Sequence, residues 1–320
     1  MDKKTPATEA PARTRRRATL AIVCAGVLWG TMGIFVHVFN AAGLTSLDIS
    51  ELRAIGCAVV MLFVLLVRDR RLPRLRPRDV WCFLGTGLLS ILLFNVCYFS
   101  TIESTSMSVA AVLLYTAPAF VMVFSRVLFK ERFTRRKVVA LVLTVLGCFL
   151  SSNVLGSGTT ITGFGLLTGI LSGIGYALYT IFSRYALERD YDPLVIVFFT
   201  YVVTALGGAF FADFRRIGAA LSSGASVMGI ALVYVVVTTA LPYVLYTLGL
   251  IHIGNSRASI IVSIEPVAAT VFGFLLFGET PSPVVLGGMA CVLGGIVVVN
   301  LRPRTADAVE SELEPGDGQG

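Results

Sequence analysis

Glu265 is the side chain in this sequence with the clearest capacity for chemistry, because it is an acid in the middle of an apolar stretch. The stretch covers residues 255–280 and reads NSRASIIVSIEPVAATVFGFLLFGET. Keeping a carboxylate charged there is costly, so we expect Glu265 to pair with a cation, to face a water-filled cavity or to hold a proton at neutral pH. The residue is predicted to bind a substrate ammonium group or to exchange a proton for substrate. The structural alternative is that it caps a broken helix.

Pro266 follows this acid directly, and the whole segment has a counterpart earlier in the chain. A shift of 148 positions brings Pro118 onto Pro266 and Glu131 onto Glu279. Proline removes one helical hydrogen bond and disfavours the helical conformation of the residue before it. We therefore predict hinges at Pro118 and Pro266, and the matched pattern indicates that the chain is a duplication.

Aromatic and amide side chains repeat at helical spacing and are candidates for a small-molecule pocket. Tyr and Trp offer flat apolar walls with one polar handle, and residues three apart share a helix face. The candidates for substrate binding beside Glu265 are Trp29, Asn95, Tyr98, Tyr176, Tyr179, Tyr243 and Tyr246. Helix packing is the alternative for each aromatic, and an interhelical hydrogen bond is the alternative to a substrate carboxylate for Asn95. The 148-residue shift pairs Tyr98 with Tyr246.

The sequence offers no catalytic or metal-binding pattern, and we expect no cofactor. The six cysteines lie in apolar runs without a CxxC pair or a neighbouring histidine cluster, which is typical of packing residues. Arg53 is a basic residue within a predicted span; it is expected to neutralise a carboxylate in a cavity or to pair with Asp48 or Glu51.

The elements that hold these residues must be membrane helices. Hydrophobic residues make up 56% of the chain and charged residues only 14%, which excludes an ordinary soluble domain. Long unbroken apolar runs predict a helical bundle and exclude a transmembrane barrel. The ten predicted spans are 19–39, 47–67, 80–100, 107–129, 138–152, 163–185, 193–212, 227–250, 255–277 and 284–300.

The charges orient this all-α integral membrane protein. If ten helices alternate, one side holds 22 of the 26 basic residues, so the positive-inside rule places both termini in the cytoplasm. The same placement of the basic residues favours membrane lipid over nucleic acid as a partner.

Residues 1–18 are predicted to be a disordered basic arm, and residues 301–320 a disordered tail. A small uncharged linker, 154–162, separates two five-helix repeats, 19–153 and 163–300. Because five is odd, the repeats are predicted to be inverted.

The doubled pattern resembles a known family. Ser-x-Ala-x(7)-Pro followed by Phe-x-Glu occurs at Ser108, Ala110, Pro118, Phe129 and Glu131, and again at Ser256, Ala258, Pro266, Phe277 and Glu279. This pattern is similar to the EamA-like family of the drug/metabolite transporter superfamily, from about residue 20 to residue 300. The resemblance implies ten helices, inverted repeats and movement of small polar metabolites, most often amino acids and usually outward. An acid before the second proline only, where the first repeat has Ala117, is also family-like.

The combined expectation is a bacterial inner-membrane exporter of amino acids or related metabolites that works by alternating access, as a monomer or homodimer. Its cavity would be lined by the first, third, fourth, sixth, eighth and ninth helices. Protons are the expected coupling ion, with uncoupled diffusion as the alternative. The competing functions are export of drugs or organic cations, a component of a lipid-linked sugar flippase, and an intramembrane enzyme. The sequence contains no HExxH, Walker or paired-Asp motif that would favour an enzyme.

Overall fold

The computed structural model describes residues 11–69, 74–152 and 162–301. Residues 1–10 of the predicted arm, most of the predicted linker and the tail from residue 302 lie outside the described residues. All regular structure in the described part is helical, and ten main helical segments follow one another. They are α1 (Ala12–Ala41), α2 (Ser46–Asp69), α3 (Pro77–Ser104), α4 (Met107–Leu128), α5 (Arg135–Ser151), α6 (Gly163–Leu187), α7 (Pro193–Gly208), α8 (Ala225–His252), α9 (Asn255–Phe277) and α10 (Pro283–Asn300).

The prediction of ten spans is confirmed in part. Eight segments are long and apolar enough to cross a membrane, whereas α7 is a shorter apolar helix. The 17 residues of α5 include three basic residues in its first turn, which shortens its apolar length. A further short helix, Phe214–Ser222, lies between α7 and α8.

The first helix begins earlier than predicted. Residues 12–18 were expected to belong to a disordered arm, but α1 begins at Ala12, directly after Pro11. Alanine and arginine both have high helix propensity, and arginine side chains can extend from a helix end towards water. The basic residues of this segment therefore lengthen the helix instead of ending it.

Helices α4 and α9 are each broken at the same place in their repeat. The first consists of Met107–Leu114 and Ala117–Leu128, and the second of Asn255–Val262 and Glu265–Phe277. In each break the new segment begins one residue before the proline. The missing N–H of the proline leaves a carbonyl of the preceding turn without its helical donor. The two broken helices are thus equivalent elements of a duplicated structure.

Helices α3 and α8 contain a second pair of matched irregularities. Gly85–Leu92 in α3 and Val236–Ala240 in α8 are wound as π-helix, and a shift of 148 positions superimposes the second on the last five residues of the first. A π-segment inserts extra chain into a helix and is frequent at functional sites. Neither segment has a proline or any pattern that predicted it.

The main contacts between helices follow the duplication. The pairs α2 with α7, α4 with α9 and α5 with α10 each join a helix to its own counterpart. The extensive contacts of α1 with α8 are matched by those of α3 with α6. The main helix–helix pairs are therefore repeated in the two halves, as expected for a duplication.

Polar contacts at one end of the bundle show how the helix ends are arranged. Arg68, at the end of α2, pairs with Asp192 at the start of α7, with 3.1 Å between nitrogen and oxygen. Arg136, at the start of α5, donates to the carbonyl of Leu301 beyond the end of α10 over 3.2 Å. At this end of the bundle, α7 begins where its counterpart α2 ends, and α5 begins where its counterpart α10 ends.

Lys130 has a backbone conformation that favours glycine. Its φ is 56°, and its counterpart Gly278 has φ 70°. In both places the next residue donates its N–H back to the last turn of the helix, from Glu131 to Ser125 and from Glu279 to Gly273. This is the hydrogen bond of a helix end that is closed by a left-handed residue.

Replacing Lys130 by Gly is expected to stabilise the protein, because a side chain in the left-handed region costs about 1 kcal/mol. The melting temperature of the purified protein in detergent should rise by a few degrees. The converse substitution, Gly278→Lys, should lower it. A decrease with Lys130→Gly would show that the lysine side chain contributes more than its backbone strain costs.

Candidate functional site

Glu265 lies where the break in α9 exposes the start of a helix. It is the first residue of the segment Glu265–Phe277, and its side chain is half-buried. The Tyr176 hydroxyl on α6 donates a hydrogen bond to Glu265 Oε2 over 3.3 Å. The unpaired N–H groups of a helix start carry partial positive charge, which favours a carboxylate. Glu265 is therefore held by another helix of its own repeat, with no cationic partner in contact among the described residues.

Trp29 and four tyrosines form a group of rings beside this acid. The Trp29 ring centroid lies 4.9 Å from that of Tyr243, 5.7 Å from Tyr246 and 6.5 Å from Tyr176. Tyr179 lies 4.9 Å from Tyr243 in an edge-to-face arrangement, a geometry that aromatic pairs prefer. We call Trp29, Tyr176, Tyr179, Tyr243 and Tyr246 the aromatic cluster. The structure brings together these five predicted site residues, which come from α1, α6 and α8.

Two hydroxyl groups of the cluster are already occupied by hydrogen bonds. Tyr179 Oη lies 2.9 Å from Thr247 Oγ1, and Tyr246 Oη lies 2.7 Å from Thr180 Oγ1. The two contacts cross-link α6 and α8 reciprocally, because each helix supplies one tyrosine and one threonine. The rings of Tyr179 and Tyr246 are consequently fixed in orientation.

Two small cavities adjoin the aromatic cluster. One, of about 10 Å³, is lined by residues of α4, α6, α8 and α9 that include Tyr115 and Glu265. The other, of about 20 Å³, is lined by residues of α1, α3, α6 and α8 that include Trp29 and Tyr243. Together they touch the six helices that the sequence predicted to line the cavity. Each has room for roughly one water molecule, so in this conformation neither cavity can hold a larger molecule.

Asn95 and Tyr98 lie apart from the aromatic cluster. The Tyr98 ring packs on Phe94, with 5.7 Å between centroids, and Phe94 in turn contacts Tyr176 at 5.6 Å. Asn95 Oδ1 accepts a hydrogen bond from Arg53 over 3.4 Å. Neither residue lines the two cavities. The repeats therefore differ here, because Phe94 stands between Tyr98 and the cluster.

Small residues let α1 pack closely over the break in α9. A methyl group placed on Gly26 would lie 2.6 Å from the Ile264 side chain, and one on Gly30 would lie 3.0 Å from the carbonyl oxygen of Glu265. Gly33 has no described atom within 4 Å of such a methyl group. Close packing of α1 against α9 therefore depends on Gly26 and Gly30 and not on Gly33.

Several lining residues were not selected from the sequence. Tyr115, Thr180, Ser259 and Ser263 line the smaller cavity. The duplication does contain a signal for two of them, because Tyr115 and Ser263 are separated by 148 positions and lie at the two helix breaks. Thr180 and Ser259 are ordinary small polar residues of apolar helices, and their sequence pattern does not distinguish them.

Glu131 connects the two repeats at the end of the bundle opposite its counterpart Glu279. It accepts hydrogen bonds from the Asn255 backbone N–H and the Ser256 hydroxyl at the start of α9, both over 2.7 Å, and from Lys137 Nζ over 2.9 Å. Burial alone would raise the pKa of Glu131. The Lys137 charge and these hydrogen bonds outweigh burial, so the pKa is lower than its ordinary value.

The corresponding contact is not made at the other end. Glu279 is exposed and accepts no hydrogen bond from Met107 or Ser108, the described counterparts of Asn255 and Ser256. Ser106 instead caps the start of α4 with its own hydroxyl, which accepts from the Val109 N–H over 3.3 Å. Gly254, in the equivalent place before α9, has no side chain to do so. The start of α9 is therefore capped from the other repeat.

Comparison with known proteins gives one consistent family. Residues 16–153 and 163–301 each match the EamA-like transporter family. An uncharacterized transporter of Archaeoglobus fulgidus is 33% identical over 295 residues, covering 89% of this chain and 97% of the relative. The threonine/homoserine exporter RhtA of Escherichia coli is 26% identical, covering 87% and 86%.

A solved structure and an inner-membrane relative agree with this result. One crystal structure superimposes with a TM-score of 0.72 at 18% identity, covering 89% of this chain and 98% of the other, which shows a shared fold. An uncharacterized inner membrane transporter of Salmonella typhimurium is 23% identical, over 90% of this chain and 97% of the relative.

Proposed function

Because this chain belongs to the EamA-like transporter family, with one family domain in each half, we propose that it exports amino acids or closely related small polar metabolites. We place it in the bacterial inner membrane as a secondary transporter. The similarity to a threonine/homoserine exporter supports the amino-acid class, and the similarity to an inner membrane transporter supports the location. The family is one of transporters, so the chain is not an enzyme.

The observation that carries this proposal is an acid and an aromatic cluster enclosed between two repeats. Glu265 supplies a negative charge for an ammonium group, and Trp29 and Tyr243 supply apolar walls beside it. Aromatic faces also attract cations directly. A primary amine with a small side chain suits this combination. Export of drugs or other organic cations remains the competing substrate class, since it would use the same charge.

We propose that ten helices cross the membrane as two inverted repeats, with both termini in the cytoplasm. The paired helix ends support this, because α2 ends where α7 begins and α5 begins where α10 ends. Arg68, Arg136, Arg184 and Arg189 lie at that end of the bundle together with Glu131. The excess of basic residues there supports a cytoplasmic location.

The unequal contacts of Glu131 and Glu279 support alternating access between the repeats. In the described conformation, Glu131 holds the start of α9 and closes the cytoplasmic end, while Glu279 is exposed at the other end. If each repeat adopted the conformation that the other now has, Glu279 would contact Met107 and Ser108 at the start of α4. The transporter would then be closed outside and open inside, as in other inverted-repeat transporters.

The proposed energy source for export is an ion gradient. The sequence has no nucleotide-binding motif, so uphill export would need an ion gradient. Protons are the proposed coupling ion because Glu265 can bind either a proton or a substrate ammonium group, but not both at once. Flux that responds strongly to an imposed pH gradient would support this coupling, and flux independent of the gradient would indicate diffusion without coupling.

The proposed function is tested by measuring metabolites inside and outside cells that express the protein. Cells with the wild type should accumulate a few amino acids in the medium relative to empty-vector cells. Cells with an equal membrane abundance of Glu265→Gln should resemble the vector control. External organic cations instead of amino acids would support the competing class, and profiles identical to the vector control would contradict export in that host.

Removing the Glu131 carboxylate is expected to loosen the cytoplasmic end. In Glu131→Ala, the N–H of Asn255 loses its acceptor, and loss of a helix cap costs about 0.5–2 kcal/mol. Hydrogen–deuterium exchange should become faster at the start of α9. In Ser106→Ala, the matched control, exchange should become faster at the start of α4 and not of α9. Unchanged exchange at Asn255 in Glu131→Ala would show that the contact does not hold the end closed.

The contribution of Glu131 also has a defined pH dependence. Its pKa is lowered in the folded protein, so its contribution is complete above the ordinary pKa of 4.5 and is lost as the pH falls through the lowered value. The stability difference between the wild type and Glu131→Ala should therefore be constant from neutral pH down to about pH 5 and decrease below that.

A further inference from the structure

Arg53 is a buried cation, and the N–H groups of its guanidinium have few good hydrogen-bond acceptors. It lies in α2 and is only 3% exposed. One terminal nitrogen contacts Asn95 Oδ1 over 3.4 Å, and the other contacts the Met32 sulfur over 3.7 Å. Its Nε has no hydrogen-bond acceptor among the described residues, and neither does Asn95 Nδ2. Two side chains on adjacent helices thus present unused donors in the same buried region.

No acid neutralises this charge within the described structure. Asp48, a predicted partner of Arg53, is engaged by Arg216 and by the backbone N–H of Asp213 instead. Glu51, the other predicted partner, packs its carboxylate against Gly208 of α7. A buried charge without a partner is strongly unfavourable. The burial of the unpaired Arg53 charge therefore indicates that its counter-anion is a ligand that binds from outside the protein.

A series of ring contacts leads from the surroundings of Glu265 to those of Arg53. Tyr176 donates to Glu265 and contacts Trp29, and Trp29 contacts Tyr243. Tyr243 contacts Tyr201 with 5.2 Å between ring centroids, and both tyrosines lie within electrostatic range of Arg53. A negative and a positive side chain thus lie within electrostatic range of each other in the protein interior.

We infer that Arg53, assisted by Asn95, binds the carboxylate of the substrate while Glu265 takes its ammonium group. This inference rests on the proposed function and narrows it to zwitterions, such as α-amino acids with both charges present. The planar guanidinium can bind both oxygens of a carboxylate at once. The assignment explains why Arg53 has no acid partner: a permanent one would compete with the substrate.

The inference is tested by ligand-induced thermal stabilisation of the purified full-length protein. The probes are the common L-amino acids, the methyl ester of each, and lactate as a carboxylate without an ammonium group. The wild type should be stabilised by certain amino acids and not by their esters. Arg53→Met should bind those amino acids at least about tenfold more weakly, because a hydrogen-bonded charge has been lost. Arg126→Met, which removes an exposed basic residue of α4, should bind normally.

Two further readouts separate binding from folding. Without any probe, Arg53→Met should melt at the wild-type temperature or above it, because a buried unpaired charge has been replaced by an apolar side chain. Arg53→Lys should retain a preference for amino acids over esters with reduced affinity, since it keeps the charge but loses the planar fork. A lower melting temperature for Arg53→Met with unchanged amino-acid binding would identify a structural role and overturn the inference.

The remaining outcomes distinguish this inference from the proposed function. Equal stabilisation of the wild type by acids and esters would overturn the carboxylate site but leave amino-acid transport standing. Stabilisation by lactate and not by amino acids, lost in Arg53→Met, would support the anion site and contradict the proposed substrate class. A response to the esters alone would contradict the role of Arg53 and favour organic cations.

Discussion

We expect Glu265→Gln to export amino acids more slowly than the wild type at the same membrane abundance, by a factor between about thirty and several thousand. The substitution keeps the shape of the side chain and an acceptor for the Tyr176 hydroxyl, but removes the negative charge. Truncating one member of a buried hydrogen-bonded charge pair costs about 2–5 kcal/mol, and every 1.4 kcal/mol corresponds to about a factor of ten. Initial rates in proteoliposomes loaded with a labelled amino acid measure the effect.

Two control variants make this result specific. Glu188→Gln removes an acid that pairs with Arg184 at the protein surface, and its rate should equal that of the wild type. Tyr176→Phe removes the hydroxyl that donates to Glu265 but leaves the charge, so its rate should fall less than that of Glu265→Gln. Normal transport by Glu265→Gln would show that the charge is not needed and that the acid only supports the helix break.

The second large effect is expected at the contact between α5 and α10. Gly147 and Gly288 allow the two backbones to touch: a methyl group on Gly288 would lie 2.7 Å from the Gly147 carbonyl oxygen and 2.7 Å from the Ser151 nitrogen. Backbone atoms cannot rotate away as a side chain can. Gly288→Ala must therefore push the helices apart, and overpacking of this kind costs about 1–3 kcal/mol.

The neighbouring glycine provides a matched control for this substitution. A methyl group on Gly287 would meet no described atom within 4 Å, so Gly287→Ala should keep the wild-type stability or increase it slightly through its helix propensity. The melting temperature in detergent should fall by several degrees for Gly288→Ala only. Equal melting temperatures for the two variants would mean that α5 and α10 separate without cost.

The duplication made most of the architecture predictable. The match of Pro118 with Pro266 located both helix breaks, since the effect of proline on a helix is local and independent of the rest of the fold. Trp29, Tyr176 and Tyr243 were selected from the sequence as candidates for a pocket, and the structure brings their rings together. Their part in substrate binding stays a prediction.

Other features depend on packing between helices and could not be predicted from one sequence. The π-segments of α3 and α8 have no residue pattern of their own. The repeats also differ where the shift predicts equivalence: Phe94 separates Tyr98 from the aromatic cluster, whereas Tyr246 lies within it. The lack of an acid beside Arg53 is likewise a tertiary property, because Asp48 is engaged by Arg216 and Glu51 lies against Gly208.

The paired hydroxyls of Tyr179 and Tyr246 have a consequence for substrate selectivity. Since Thr247 and Thr180 already engage these groups, the walls of the site offer ring faces and few free donors or acceptors to a substrate side chain. A hydrocarbon wall discriminates mainly by size, and one methylene changes the specificity by only about 10–200-fold. A protein built this way should carry a group of amino acids of similar bulk and rank them gradually, so that the export profile of a cell would follow whichever of them is most abundant.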